Sequence, residues 1–115
     1  MNDLHYIYIK LNDTVHSLAT SEGNIKLRLQ YAASTHLPFV FSKIEALPND
    51  LKSKLKVIEK SLTNKEPTFN EQSTIEATMY RMHKKTASKI AENIWELNRM
   101  LLERKLTGNW SEFET

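Results

Sequence analysis

Leu4, Ile7, Leu11, Val15 and Leu18 recur every three or four residues at the start of the chain, with Tyr8 beside them. Asp3, Asn12, Asp13 and Ser17 fall mostly elsewhere on the wheel, so the spacing predicts an amphipathic helix over about 3–19. His5-Tyr6-Ile7-Tyr8-Ile9 competes with it, being rich in strand-favouring side chains and apolar on both faces. After a break at Thr20-Ser21-Glu22-Gly23-Asn24, Ile25, Leu29, Ala32, Ala33 and His36 share one helical face. Yet Ile25–Tyr31 also alternates as a half-buried strand does. The alanine pair and the scarcity of turn glycines favour a helix. The alternative is a small hairpin within the first 31 residues, giving an α+β architecture.

Pro38 and Pro48 bracket a short apolar segment, Phe39–Leu47. Residues before proline avoid the helical region, so both prolines predict boundaries, with a single turn or short helix between them. Leu51, Leu55, Ile58 and Leu62 form the stripe of a third helix opening at Asn49 or Asp50. Lys52, Lys54, Lys56 and Lys60 ride its flanks, where their stems cover apolar surface. Residues 63–72 are polar, contain Pro67 and read as a linker.

Ser73-Thr74-Ile75-Glu76 has the spacing of a capping box. Ile75, Met79, Met82, Thr86, Ile90, Ile94, Leu97 and Leu101 follow at helical steps, and Gly108 is a natural stop. Taken as one helix over 73–106, this segment is roughly 50 Å long at about 1.5 Å per residue. A compact domain of this size is nearer 30 Å across, from a radius of gyration of about 13 Å. Either the helix kinks between His83 and Thr86, or one end projects. The spacing favours one rod whose apolar edge exceeds what its own domain hides. The expected fold is therefore all-α: an irregular four-helix bundle with a long C-terminal helix, one domain over 1–115, and a flexible tail over 108–115.

Composition supports this and removes whole classes of chemistry. Of 115 residues, 40% are hydrophobic and 26% charged, the balance of a folded globule, and two glycines with three prolines leave few turns. The absence of cysteine excludes disulfides, thiolate nucleophiles and cysteine-rich zinc sites. The N-terminus has no basic start and apolar run, and no stretch approaches the roughly 20 apolar residues of a bilayer span, so no membrane is expected and the cytoplasm is the expected location.

His5, His16, His36 and His83 include no pair at the i, i+4 spacing of a helical metal site. Gly23 and Gly108 stand alone, so no phosphate-binding loop is present, and no glycine-flanked serine turn occurs. Glu92, Glu96 and Glu103 lack the Glu-x-x-His partner of a di-metal bundle, and the first two pair naturally with Lys89 or Arg99. No catalytic, metal-binding, cofactor-binding or small-molecule site is expected.

Two features remain. Arg81, His83, Lys84, Lys85 and Lys89 place five basic or titratable groups within nine residues. Phosphate contacts supply much of the sequence-independent affinity for nucleic acid, so Arg81, Lys84, Lys85 and Lys89 are candidates for it. No helix-turn-helix signature or aromatic interleaving accompanies them. Small helical ribonucleases of the HEPN type place an arginine at a short fixed distance before a histidine. Here seven residues separate Arg28 from His36 and one separates Arg81 from His83, and neither fits.

The second feature is aromatic and sulfur-bearing: Trp95 beside the last stripe, Trp110 and Phe113 after Gly108, and Tyr6, Ile9 and Tyr31 off the core faces of their helices. Met79, Met82, Trp95, Trp110 and Phe113 are the candidate contact residues. The function these expectations favour is a non-catalytic helical interaction module, an accessory or regulatory subunit that docks to another protein or to itself.

Overall fold

The computed structural model describes residues 2–107; the tail assigned to 108–115, with Trp110 and Phe113, lies outside them. The elements are α1 (Asp3–Thr20), α2 (Ile25–Phe41), a 3-10 turn (Ile44–Ala46), α3 (Asn49–Leu62), α4 (Thr74–Arg81) and α5 (Lys84–Leu106). The fold is all-α, with no strand among the described residues, so both strand-like stretches, 5–9 and 25–31, are helical.

Local chemistry starts these helices. The Asn2 side chain accepts from the His5 amide at 2.8 Å, and the Asn24 side chain accepts from the Leu27 amide at 3.1 Å. At α4 the expected capping box forms: the Glu76 amide donates to Ser73 Oγ at 3.0 Å while the Ser73 amide donates to Glu76 Oε1 at 3.3 Å. The turn between α1 and α2 needs glycine, because Gly23 sits at φ +99° and an added Cβ would lie 3.0 Å from Leu27 Cδ1.

Two expectations are corrected. Pro38 does not end α2, which runs on to Phe41. Proline removes the amide that would bond the Ser34 carbonyl, and its ring crowds that carbonyl. Pro38 and Ser34 are both exposed, while Leu37 and Val40 on either side are fully buried and hold the helix in line.

The second correction concerns the rod over 73–106. Met82 and His83 are both extended (ψ 142° and 151°), so the segment is two helices of 8 and 23 residues, and the described residues form five α-helices rather than four. No glycine or proline lies there. The break therefore comes from tertiary packing. The longest dimension of the described chain is 43 Å, shorter than the rod of roughly 50 Å. Turning at Met82 lets Ile75 and Met79 pack inward from α4, which sits on α2 and α3, while α5 crosses α1, α2 and α3.

One core cluster results. Leu4, Ile7 and Leu11 of α1, Leu29 and Leu37 of α2, Leu51, Leu55 and Leu62 of α3, and Ile94, Leu97 and Leu101 of α5 are all essentially inaccessible. Ala32 and Ala33 let α1 and α2 approach closely as an antiparallel pair. The loop between α3 and α4 is pinned from beneath: Thr78 Oγ1, on a buried residue, accepts from the Lys65 amide at 3.1 Å and donates to the Thr74 carbonyl at 2.9 Å. Among the described residues no helix is long and apolar enough to cross a membrane.

Candidate functional site

The predicted contact residues separate. Met79 is wholly buried, which removes it from any surface. The break at Met82 is the cause, because it swings α4 onto the core. Met82 is half-buried against the core cluster. Trp95 stands outside, 53% exposed, with the Arg99 guanidinium 5.9 Å from its ring centre. Its position follows from the helical wheel: Ile90, Ile94, Leu97 and Leu101 take the core face, and Trp95 points well off it.

A more extensive surface lies on α2. Its exposed residues are Leu27, Tyr31, Ser34, Thr35, Pro38 and Phe39, and none bears a charge. Leu27, Tyr31, Thr35 and Phe39 follow at i, i+4, i+8 and i+12, with Leu27 58%, Tyr31 57% and Phe39 49% exposed. The exposed residues of α3 include Asp50, Lys54, Lys56 and Lys60, and those of α5 include Lys89, Glu92, Arg99 and Glu103. A surface helix normally turns charge to water, whereas one that is apolar or neutral all round is normally covered. The rim of the α2 face is basic: Lys10 of α1 lies 5.0 Å from the Phe39 ring centre and 5.7 Å from that of Tyr6, and Lys26 and Arg28 flank the first turns. No acidic residue occurs within α2.

The hydrogen bonds between α1 and α2 bear on catalysis. Ser17 Oγ and His36 Nε2 are 3.0 Å apart, and Arg28 Nη1 donates to the Leu18 carbonyl at 3.0 Å. A serine beside an imidazole is the start of a nucleophile–base pair, but such pairs need a third group that orients the base. Among the described residues nothing holds the other ring nitrogen of His36. Arg28 also has a plainer task. Leu18 lies in the last turn of α1, whose carbonyls lack intrahelical partners and whose own sequence offers no cation there. The guanidinium satisfies one of them, although its Nε is buried without a partner.

Elsewhere the ionic groups hold elements together. Arg104 pairs with Asp50 across α5 and α3, Lys43 with Asp3 at 3.5 Å, and Lys52 with Glu45 at 2.9 Å. The Lys52 hydrogen bond and charge, reinforced by Lys56, hold the exposed Glu45 carboxyl below its usual range. No cluster of potential metal ligands occurs among the described residues.

The basic residues singled out for nucleic acid also divide. Lys89 lies 3.9 Å from Glu92. Arg81, Lys84 and Lys85 are exposed and make no ion pair among the described residues. Arg81 and His83 line a cleft with Lys65, a residue that sequence spacing did not connect to them because the 63–73 loop brings it there. The α2 face left a fainter trace in the sequence: no charge at 27, 31, 34, 35, 38 or 39 in a chain that is 26% charged. No protein-family profile, no characterised protein and no solved structure matches this chain.

Proposed function

We propose that this protein is an accessory or regulatory subunit that acts by docking, and that the outward face of α2 receives an amphipathic helix of another protein with acidic flanks. The observation that supports this is the uncharged outer face of α2, with three large side chains about half exposed or more. Leaving them in water forgoes a gain of order 1.5–3 kcal/mol for each if it were fully buried. The helix is 17 residues long, roughly 25 Å, and takes one partner helix laid along it. The basic rim selects the partner's chemistry: Lys10, Lys26 and Arg28 favour acidic flanks and disfavour a second copy, which would set these cations against themselves.

The double variant Leu27→Glu/Tyr31→Glu tests this. Both side chains are exposed, so the melting temperature is expected to stay within a few degrees of the parent. Size fractionation of cell extract is expected to show the parent chain in a complex larger than its own 13.4 kDa, weakened by salt, and the variant as a monomer. A parent chain that elutes as a monomer, or a complex that survives the two glutamates, contradicts the proposal.

A further inference from the structure

We infer that the cleft between the 63–73 loop and the α4–α5 junction binds a phosphoryl group, presented as free phosphate or as a small phosphate monoester. The cleft is open to solvent, with a volume of about 240 Å³, and three cationic or titratable side chains line it: Lys65 from the loop, Arg81 from the end of α4 and His83 from the junction. Asn64 and Thr86 add neutral hydrogen-bonding groups, and among the described residues no acidic side chain contributes to the wall. Neither Lys65, Arg81 nor His83 makes an ion pair among the described residues, whereas Lys43, Lys52, Lys89, Arg99 and Arg104 all have carboxylate partners.

Three features of this convergence point to a ligand rather than to a solvated patch. The cations come from separate segments, so helical periodicity alone does not gather them. Their frame is fixed, since the Lys65 amide is tied to the buried Thr78 hydroxyl, which itself donates to the Thr74 carbonyl. The helix break at Met82–His83 places Arg81 and His83 on the same cleft. A phosphoryl dianion offers three acceptor oxygens to such a set, and arginine grips two of them at once. Size limits the ligand further. Sites for drug-sized molecules run to about 300–1,000 Å³, so this cleft suits a phosphoryl group with a small organic body. It is separate from the α2 face, and its test stands apart from the docking proposal.

Calorimetric titration of the full chain with inorganic phosphate, with phenyl phosphate and with a single-stranded oligonucleotide tests the inference. Saturable binding of phosphate or phenyl phosphate is expected; tighter binding of the second identifies an ester, and equal binding identifies free phosphate. Lys65→Gln and Arg81→Gln are each expected to weaken binding about tenfold or more, while Lys54→Gln and Lys56→Gln on α3 leave it unchanged. All four side chains are exposed, and melting curves verify that each variant folds. No heat at millimolar phosphate overturns the inference. So does an equal loss on changing the α3 lysines. Oligonucleotide binding tighter than that of either small anion, lost with Arg81→Gln, overturns it in favour of nucleic acid.

Discussion

Leu97→Ala is expected to destabilise the protein by about 2–5 kcal/mol, while Trp95→Ala, two residues away, changes stability by no more than about 1 kcal/mol. Leu97 is fully buried where α5 meets the other helices, and truncation removes its transfer energy and leaves a cavity that its neighbours fill only in part. Trp95 is larger, but 53% of it already faces water, and the Arg99 guanidinium lies 5.9 Å from its ring centre. Stabilities of domains this size are about 5–15 kcal/mol, so Leu97→Ala removes a large share of the total and lowers the melting temperature by about 10 °C or more. Urea denaturation is the direct measure, with a shifted midpoint and an unchanged slope. An equal loss on removing Trp95 would mean that α5 is rotated from the orientation described.

Met79→Ala is the second large effect, again about 2–5 kcal/mol. Met79 is inaccessible, held on the core by α4, whereas its neighbour Tyr80 is 81% exposed and Tyr80→Ala is expected to be nearly neutral. The pair reports on the helix break. If residues 73–106 formed one projecting rod, Met79 would contribute to docking and little to stability. With the break in place, Met79→Ala lowers the melting temperature and leaves any complex formed through α2 intact once the chain is folded. Thermal melting beside size fractionation of the two variants separates these outcomes.

Much of the architecture was written in short-range signals. The stripe Leu51, Leu55, Ile58 and Leu62 matches the buried face of α3 residue for residue, and the Ser73–Glu76 capping box forms as its spacing requires. What escaped was set by distant contacts. Nothing at Met82–His83 breaks a helix by itself; the limit is the size of the core that α4 and α5 share. Pro38 was misleading for the converse reason, since buried Leu37 and Val40 carry α2 through it.

The strand-like alternation of Ile25–Tyr31 proved the most informative ambiguity. Leu29 faces the core, and Leu27 and Tyr31 face away, so a helix with apolar residues on both sides looked like a half-buried strand. The same doubled pattern is the basis of the proposed docking face. The missing charges of α2 mark its exposed face more strongly than the methionines and tryptophans do, since Met79 is buried. Lys65 cannot be joined to Arg81 and His83 from spacing, because fifteen residues separate it from Arg81 in the chain and only the folded loop closes that distance.

The sharpest test of α2 as the working surface is photo-crosslinking within cells from single exposed positions: Thr35 on α2, Lys56 on α3 and Lys89 on α5. A crosslinked product from Thr35 alone is expected, with its attached peptide drawn from another protein and carrying acidic residues at helical spacing. Equal products from all three positions, products only from Lys56 or Lys89, or attachment of Thr35 to a second copy of this chain would contradict it.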